Sequence, residues 1–323
     1  MAETVVVIGT GGTIASMEPN AGVVVKTFGS ADLLGLIQPI PNIETEGLDF
    51  RSNYPMGWDI DWSLLCDLSS FVREHLARPE VAGVVITHGT DVLEEVACFL
   101  QLTLETDKPV VVTGAMLNQS QPGFDGGRNL HDAIRLAATG TSGLGVCVAF
   151  NGTVIAGIDA TKGHTTRVNS FASPNGFLLG HVDRDRISIR THDNDFPAYA
   201  VSATEAPSVP LLWTYVGAPA GAVSALSDEA DALVIAGTGM GHVPSSWMPL
   251  IREFSSSGRP VLIASRCGSG STGLGYAGAG GDLDLQDAGV LWAGDRRPLH
   301  ARIELMCALS AGLSLPALRP VFP

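Results

Sequence analysis

The amino-acid sequence predicts an α/β fold, with a larger N-terminal domain on a mostly parallel sheet followed by a smaller C-terminal α/β domain. Three observations predict it. Short apolar runs rich in β-branched residues recur, each followed by a turn and then by a segment of helical periodicity. These runs lack polar alternation, as strands buried on both faces do. The 38 glycines among 323 residues fit many tight strand-to-helix turns. At this length, with 45% hydrophobic and 16% charged residues, the chain can bury two cores.

In order, strands are expected at residues 4–8, 81–87, 109–113 and 144–150, with helices at 62–75 and 92–104 between them. In the second helix Val92, Val96, Phe99, Leu100 and Thr103 share one face. Residues 186–190 read as a further strand, at an edge of the sheet. From 191 to 210 the chain is polar, Pro-containing and without period, which marks a linker between domains 1–190 and 211–323. Alternation then resumes, with strands at 211–216, 232–237, 260–265 and 290–293 and helices at 246–255 and 299–311. The Gly-rich segment 268–281 reads as a loop.

Composition excludes several classes of function. The net charge is −14 and no Lys/Arg-rich run is present, so the chain lacks the charge that neutralises nucleic-acid phosphates. No apolar run reaches about 18 residues, so no membrane span is expected. The start MAETVVVIG passes into a strand without a basic leader region. The expected location is therefore cytoplasmic, or periplasmic if a leader was removed. Cys66, Cys98, Cys147, Cys267 and Cys307 are far apart and have no metal-ligand spacing. They read as small hydrophobes in a reducing compartment, and no metal or cofactor is expected.

Chemistry concentrates in the turns that follow strands. The first, GTGGTIAS from Gly9 to Ser16, suggests a phosphate cradle at first sight. A dinucleotide fingerprint, however, needs a third glycine where Ile14 stands, and a second strand that delivers an acid to a ribose. The sequence after Ser16 reads as a loop and a helix, so that strand is not expected, and no G-K-[ST] is present. The alternative is a turn that mounts a threonine hydroxyl at the C-terminal end of the sheet, with glycine N–H groups free for an oxyanion. A hydroxyl is a weak nucleophile and needs a base or relay nearby. The segment VVITHGTDVLEEVA supplies His88, Thr90 and Asp91 in a second such turn. Asp91 is either the cap of the following helix or a carboxylate for a cationic group. A third turn, GIDATKGHTT, carries Lys162. A lysine desolvated beside Thr and Asp can serve as a base. These residues together point to a hydrolase with a threonine nucleophile.

The segments TGGTIAS and THGTDVLEEVA, in this order and spacing, resemble the two signatures of the bacterial-type L-asparaginases. KPVVVTGAM, DGGRNLHDAIRLA and ATKGHTTRVNSFASPNGFLLG extend the resemblance over most of residues 4–182. It implies side-chain amide hydrolysis through an acyl-enzyme, with Thr13 as nucleophile assisted by Thr90, Asp91 and Lys162. It also implies substrate contacts from Gly12, Ser52, Asn53, Gly89, Asp91 and Ala115, with Ser52 on the α-carboxylate. Asn53 falls where the family commonly has a glutamine. The expected partners are a small amide and further copies of the chain, as a homodimer or homotetramer.

Two departures bear on substrate and rate. The family carries a tyrosine on the loop after the first threonine, and residues 17–30 contain none; Tyr54 is the next one downstream. That loop reads as a flexible lid over the site. In GTGMGHVP, His242 stands where the family often has an asparagine from a neighbouring subunit. Asp282, or alternatively Asp284, matches an acidic substrate contact. Without the resemblance, His242 reads as a polar group at a helix start and the two aspartates as solvated loop charges. L-Asparagine is the expected substrate. A broader asparaginase-glutaminase or an amidase for another small amide is the first alternative. A catalytically silent amino-acid-binding protein is the alternative of another class.

Overall fold

A computed structural model describes residues 3–20, 22–51, 54–184, 186–190, 197–273 and 275–323. The chain divides into two compact units, Met1–Ala198 and Tyr199–Pro323. Both are α/β.

In the first unit the strands are β1 (Glu3–Gly9), β2 (Ser16–Asn20), β3 (Val23–Lys26), β4 (Ile43–Asp49), β5 (Val81–Thr87), β6 (Val110–Thr113) and β7 (Val146–Phe150). They continue with β8 (Thr153–Ala156), β9 (Thr161–Lys162), β10 (Phe171–Ala172), β11 (Leu178–Val182) and β12 (Ile187–Ile189). The helices are α1 (Ser30–Leu34), α2 (Trp62–Leu76), α3 (Leu93–Thr103) and α4 (Gly126–Ala137). The main sheet runs β12-β11-β8-β7-β6-β5-β1-β4. Its five strands from β7 to β4 are mutually parallel, and the β7-β8, β8-β11 and β11-β12 pairs are antiparallel. Val5–Ile8, Val84–Ile86 and Val110–Val112 are fully buried, as unbroken apolar runs covered on both faces must be. The predicted edge strand is β12, at one end of the sheet.

Register brings the functional turns to one level. Gly9 pairs with Thr87, and Thr87 pairs with Thr113, so the chain leaves β1, β5 and β6 side by side. From β1 it passes to β4 on one flank and then returns to β5 on the other. The boundary between β1 and β5 is therefore the topological switch point, where open α/β sheets form their clefts.

Two expectations about the segment after the first turn need correction. The second strand judged absent exists: β4 lies parallel to β1, and its last residue Asp49 pairs with Gly9. Its alternation IETEGLD, exposed at a sheet edge, hid it among polar residues. The Asp49 carboxylate nonetheless serves the protein itself, accepting the Ser30 N–H at 2.9 Å. A Cβ at either Gly9 or Gly29 would stand 2.7 Å from its oxygens, so the place of a ribose is filled by backbone. The lid segment is not a plain loop either. It is the antiparallel hairpin β2-β3, with Ser16 opposite Lys26 and a positive-φ Gly22 beside its tip.

The second unit has strands β13 (Leu211–Trp213), β14 (Leu233–Gly237), β15 (Val261–Ser265) and β16 (Leu291–Trp292), all parallel in that order. Its helices are α5 (Gly221–Ser227), α6 (Met248–Ser256), α7 (Asp282–Asp287), α8 (Pro298–Ser310) and α9 (Leu315–Leu318). Trp247, Ile251, Phe254 and Leu285 pack with Ile235 and Ile263 as its core. Four cysteines are buried and Cys267 is exposed.

Candidate active site

The turn after β1 is shaped by glycine. Gly11 and Gly12 have φ of 89° and 84°, a region that side chains with a Cβ rarely adopt. Gly12 must also be small for a second reason: a Cβ there would lie 2.4 Å from both N and Cα of Gly89. The turns after β1 and β5 thus pack backbone to backbone. Thr13 opens a short 3-10 turn, Thr13–Ala15, that is closed by the Ala15 N–H on the Gly12 carbonyl at 3.0 Å. The Ser16 hydroxyl donates to that same carbonyl at 2.8 Å. Among the described residues no hydrogen bond engages the Thr13 hydroxyl.

The turn after β5 carries a wired hydroxyl. Thr90 is buried, and its Oγ1 accepts from Lys162 Nζ at 2.8 Å. The same Nζ lies 3.2 Å from Asp91 Oδ1. Asp91 is therefore not the helix cap: α3 starts at Leu93, its N-cap is Val92, and no side chain caps it. Lys162 reaches the turn because its own backbone is fixed, its N–H donating to Glu94 Oε2 at 2.9 Å. The Asp91 side chain is 53% exposed and that of Lys162 only 16%, so the pair adds little to stability and mainly orients the amine.

Beneath this turn, His88 is buried, with Nδ1 2.7 Å from the Gly89 carbonyl oxygen and Nε2 3.3 Å from the Tyr54 hydroxyl. Burial pushes the imidazole down to about 4, against a smaller opposing pull from the Gly89 carbonyl and Asp91. Tyr54 is itself buried, which raises its phenol. Its hydroxyl meets His88, and among the described residues no bond joins it to Thr13.

The third turn, after β6, holds Ala115 fully buried. A Cβ at Gly114 would lie 2.5 Å from the His88 carbonyl oxygen, so this turn packs on the second. Two residues given no role by the sequence hold it. The Asp125 carboxylate accepts the N–H groups of Met116 and Leu117 at 3.0–3.2 Å, and Asn129 Nδ2 donates to the Gly114 carbonyl at 3.0 Å. Asn129 Oδ1 accepts from the Asn151 N–H at 3.0 Å, joining the turns after β6 and β7. The signal was the DGGRN start of α4, where an Asp at the N-cap reads simply as a cap; its side chain instead faces backwards.

Gly12, Thr13, Gly89, Thr90, Asp91, Ala115 and Lys162 therefore gather at the C-terminal end of the sheet. Ser52 and Asn53 lie outside the described residues. A cleft of about 700 Å³ includes Gln101, Asp107, Gly145 and Val146. It sits where β7 begins, the end of the strands away from these turns.

His242 and Asp282 belong to the second unit, where they face each other with Nε2 3.6 Å from Oδ2. His242 lies in a turn bridged to Thr238, ahead of the helical segment starting at Ser245, so it is not a helix-start group. Asp282 is fully buried, contrary to a solvated loop charge. Burial opposes its ionisation, yet N–H groups of Gly275, Tyr276 and Leu283, together with His242, outweigh that and hold its carboxyl below the usual range. Asp284 turns away to Arg252 and the Gly280 N–H. The Tyr276 ring packs edge-on to His242. Gly239, Met240, His242 and Tyr276 line a cleft of about 520 Å³. Among the described residues no helix is long and apolar enough to cross a membrane, and no cluster of His, Cys, Asp and Glu could hold a metal ion.

Fold and site define an α/β protein in which two turn threonines and a lysine gather at the C-terminal end of a mostly parallel sheet, at its switch point. The family descriptions "Asparaginase, N-terminal" and "Glutaminase/Asparaginase C-terminal domain" match residues 4–195 and 208–322. L-asparaginase 2 of Escherichia coli (strain K12) is 32% identical over 317 residues, covering 95% of this chain and 88% of the relative. A probable periplasmic L-asparaginase of Haemophilus influenzae is 30% identical, covering 95% and 88%. A glutaminase-asparaginase of Pseudomonas fluorescens biotype A is 32% identical, covering 95% and 86%. The chain belongs to the asparaginase family of amidohydrolases.

Proposed function

We propose that the protein hydrolyses L-asparagine to L-aspartate and ammonia through a Thr13 acyl-enzyme. The observation that carries this reading is the contact of Gly12 with Gly89, which sets the Thr13 turn against the Thr90–Lys162–Asp91 chain. The Thr13 oxygen attacks the carboxamide carbon while its proton passes to the Thr90–Lys162–Asp91 group. The C–N bond breaks and ammonia leaves with that proton. Water then attacks the ester, releasing the carboxylate and restoring the Thr13 hydroxyl. The Thr90 backbone N–H meets no acceptor among the described residues, which suits it to the developing oxyanion. Asp91, more than half exposed, is free to grip the substrate ammonium as well as Lys162.

Likeness to a glutaminase-asparaginase, as close as that to the asparaginase of E. coli, supports a second reading with a broader amide range. Following the resemblance, the protein assembles as a homodimer or homotetramer, with His242 and Asp282 completing the amino-group subsite of another copy. Sedimentation would report a monomer if that were wrong. Ammonia release from asparagine, glutamine and related amides tests the activity itself. Release from none of them, with asparagine still raising the melting temperature, would make the chain a binding protein.

A further inference from the structure

The reaction proposed above uses no imidazole, yet His88 is fully enclosed directly behind the Thr90 turn. Its two contacts determine its protonation. The Gly89 carbonyl oxygen can only accept, so Nδ1 at 2.7 Å must carry the hydrogen. Burial keeps the ring neutral, and a neutral ring protonated at Nδ1 presents a lone pair at Nε2. The Tyr54 hydroxyl at 3.3 Å therefore donates to it.

The bonded carbonyl belongs to the peptide that joins Gly89 to Thr90. Because a trans peptide is planar, its C=O and N–H point in opposite directions. No residue of the chain has a cis peptide among those described. Holding the Gly89 oxygen towards the buried imidazole thus aims the Thr90 N–H the other way. Gly89 carries no side chain to fix this peptide; Gly12 packs on it and Lys162 holds the Thr90 side chain, but the imidazole is what meets the peptide's own oxygen.

We propose that His88 and Tyr54 are a positioning pair, in which the imidazole clamps the Gly89–Thr90 peptide so that its N–H meets the substrate's amide oxygen, and the phenol locks the imidazole. This rests on the amide-hydrolysis reading. Neither side chain touches substrate. Their effect falls on the transition state, because the N–H they aim is needed most when the carbonyl oxygen becomes an oxyanion.

The test compares four full-length proteins by steady-state ammonia release from asparagine, with melting temperature as the check on folding. His88→Leu is expected to lower kcat about 100-fold with KM within about 3-fold, the low end of what losing one oxyanion donor costs. His88→Asn, whose amide N–H can occupy the Nδ1 position, is expected to recover most of that loss. A packing role alone would not separate these two variants in kcat. Tyr54→Phe keeps the ring against Phe50 and His88 and removes only the hydroxyl; a fall of about 10-fold in kcat is expected. Folded His88→Leu with the kcat of the parent, or His88→Asn no better than His88→Leu, overturns the proposal. If His88→Leu does not fold, parental kcat in Tyr54→Phe overturns it instead. The parent protein separates the two levels: no ammonia from it sinks the amidohydrolysis of asparagine, whereas ammonia release indifferent to His88 and Tyr54 sinks only the clamp.

Discussion

The two threonine turns of the first unit are built on opposite plans. The turn after β1 is bare: two positive-φ glycines, a short 3-10 turn, and a Thr13 hydroxyl without a partner among the described residues. The turn after β5 is braced on every side, with Thr90 bonded to Lys162, Lys162 to Asp91 and Glu94, and His88 to Gly89 and Tyr54. On the proposed mechanism the difference is a division of labour. A nucleophile must be free to approach a carbon atom, whereas the groups that move its proton and stabilise charge act best when preorganised. Backbone contact at Gly12 and Gly89 lets the free turn share the rigidity of the braced one.

The comparison breaks most sharply at Thr13. Thr13→Ala is expected to lower kcat by about 10⁴-fold or more while asparagine still raises the melting temperature, as loss of a nucleophile does. Near-parental turnover would remove Thr13 from its role. Cutting the wiring of the second turn comes next: Lys162→Met and Thr90→Val are each expected to cost about 10³-fold in kcat, towards the upper range for a lost proton-transfer group. Their double variant should lose little more than either alone, since both break one chain; additive losses would show that they act separately.

Gly12→Ala attacks the seam between the turns. The added Cβ has no room and an unfavourable φ, so a destabilisation of about 3 kcal/mol is expected in urea unfolding, with activity falling in the same variant. A fully stable, active Gly12→Ala protein would mean that the turns can separate freely.

The buried imidazole adds a pH signature. His88 titrates near 4 in the folded protein against 6.5 unfolded, so the unfolded chain binds this proton first as pH falls. Its contribution to stability is therefore intact above about 6.5 and lost progressively towards 4, by on the order of 3 kcal/mol. The groups acting on it are the Tyr54 hydroxyl, the Gly89 carbonyl and Asp91. Stability of His88→Asn relative to the parent should accordingly improve on acidification across that window; parallel pH profiles would contradict the assigned burial effect. The smallest effect is expected at His242→Asn, a change of several-fold in the ratio of kcat/KM between asparagine and glutamine. An unchanged ratio would exclude His242 from substrate choice.

Much of the first unit was legible because its strands are apolar on both faces and its turns carry unusual residues. Val5–Ile8 and Val84–Ile86 could hardly be anything but buried strands. The edge strand β4 was not legible, since none of its residues is buried and its sequence resembles a polar loop. The hairpin β2-β3 was missed for a related reason: Pro19 and the exposed valines Val23, Val24 and Val25 obscure any alternation. Asp91 illustrates a subtler limit. Its place before a helix permits either a cap or an ion pair, and only the position of Lys162, 71 residues later, decides between them.

By itself the sequence determined the α/β class, because buried strands and glycine-rich turns leave local marks in composition and spacing, while its signature segments carried the resemblance that pointed to the family and to the turn residues that meet at the switch point. Only the tertiary structure decided how those residues engage: that Gly12 rests on Gly89, that Lys162 serves Thr90 and Asp91 together, that Asp125 and Asn129 brace Ala115, and that His88 faces Tyr54. The physical reason is that the longest of these contacts depend on parallel strand register, which joins residues as far as 77 positions apart and writes no pattern into the segments it joins.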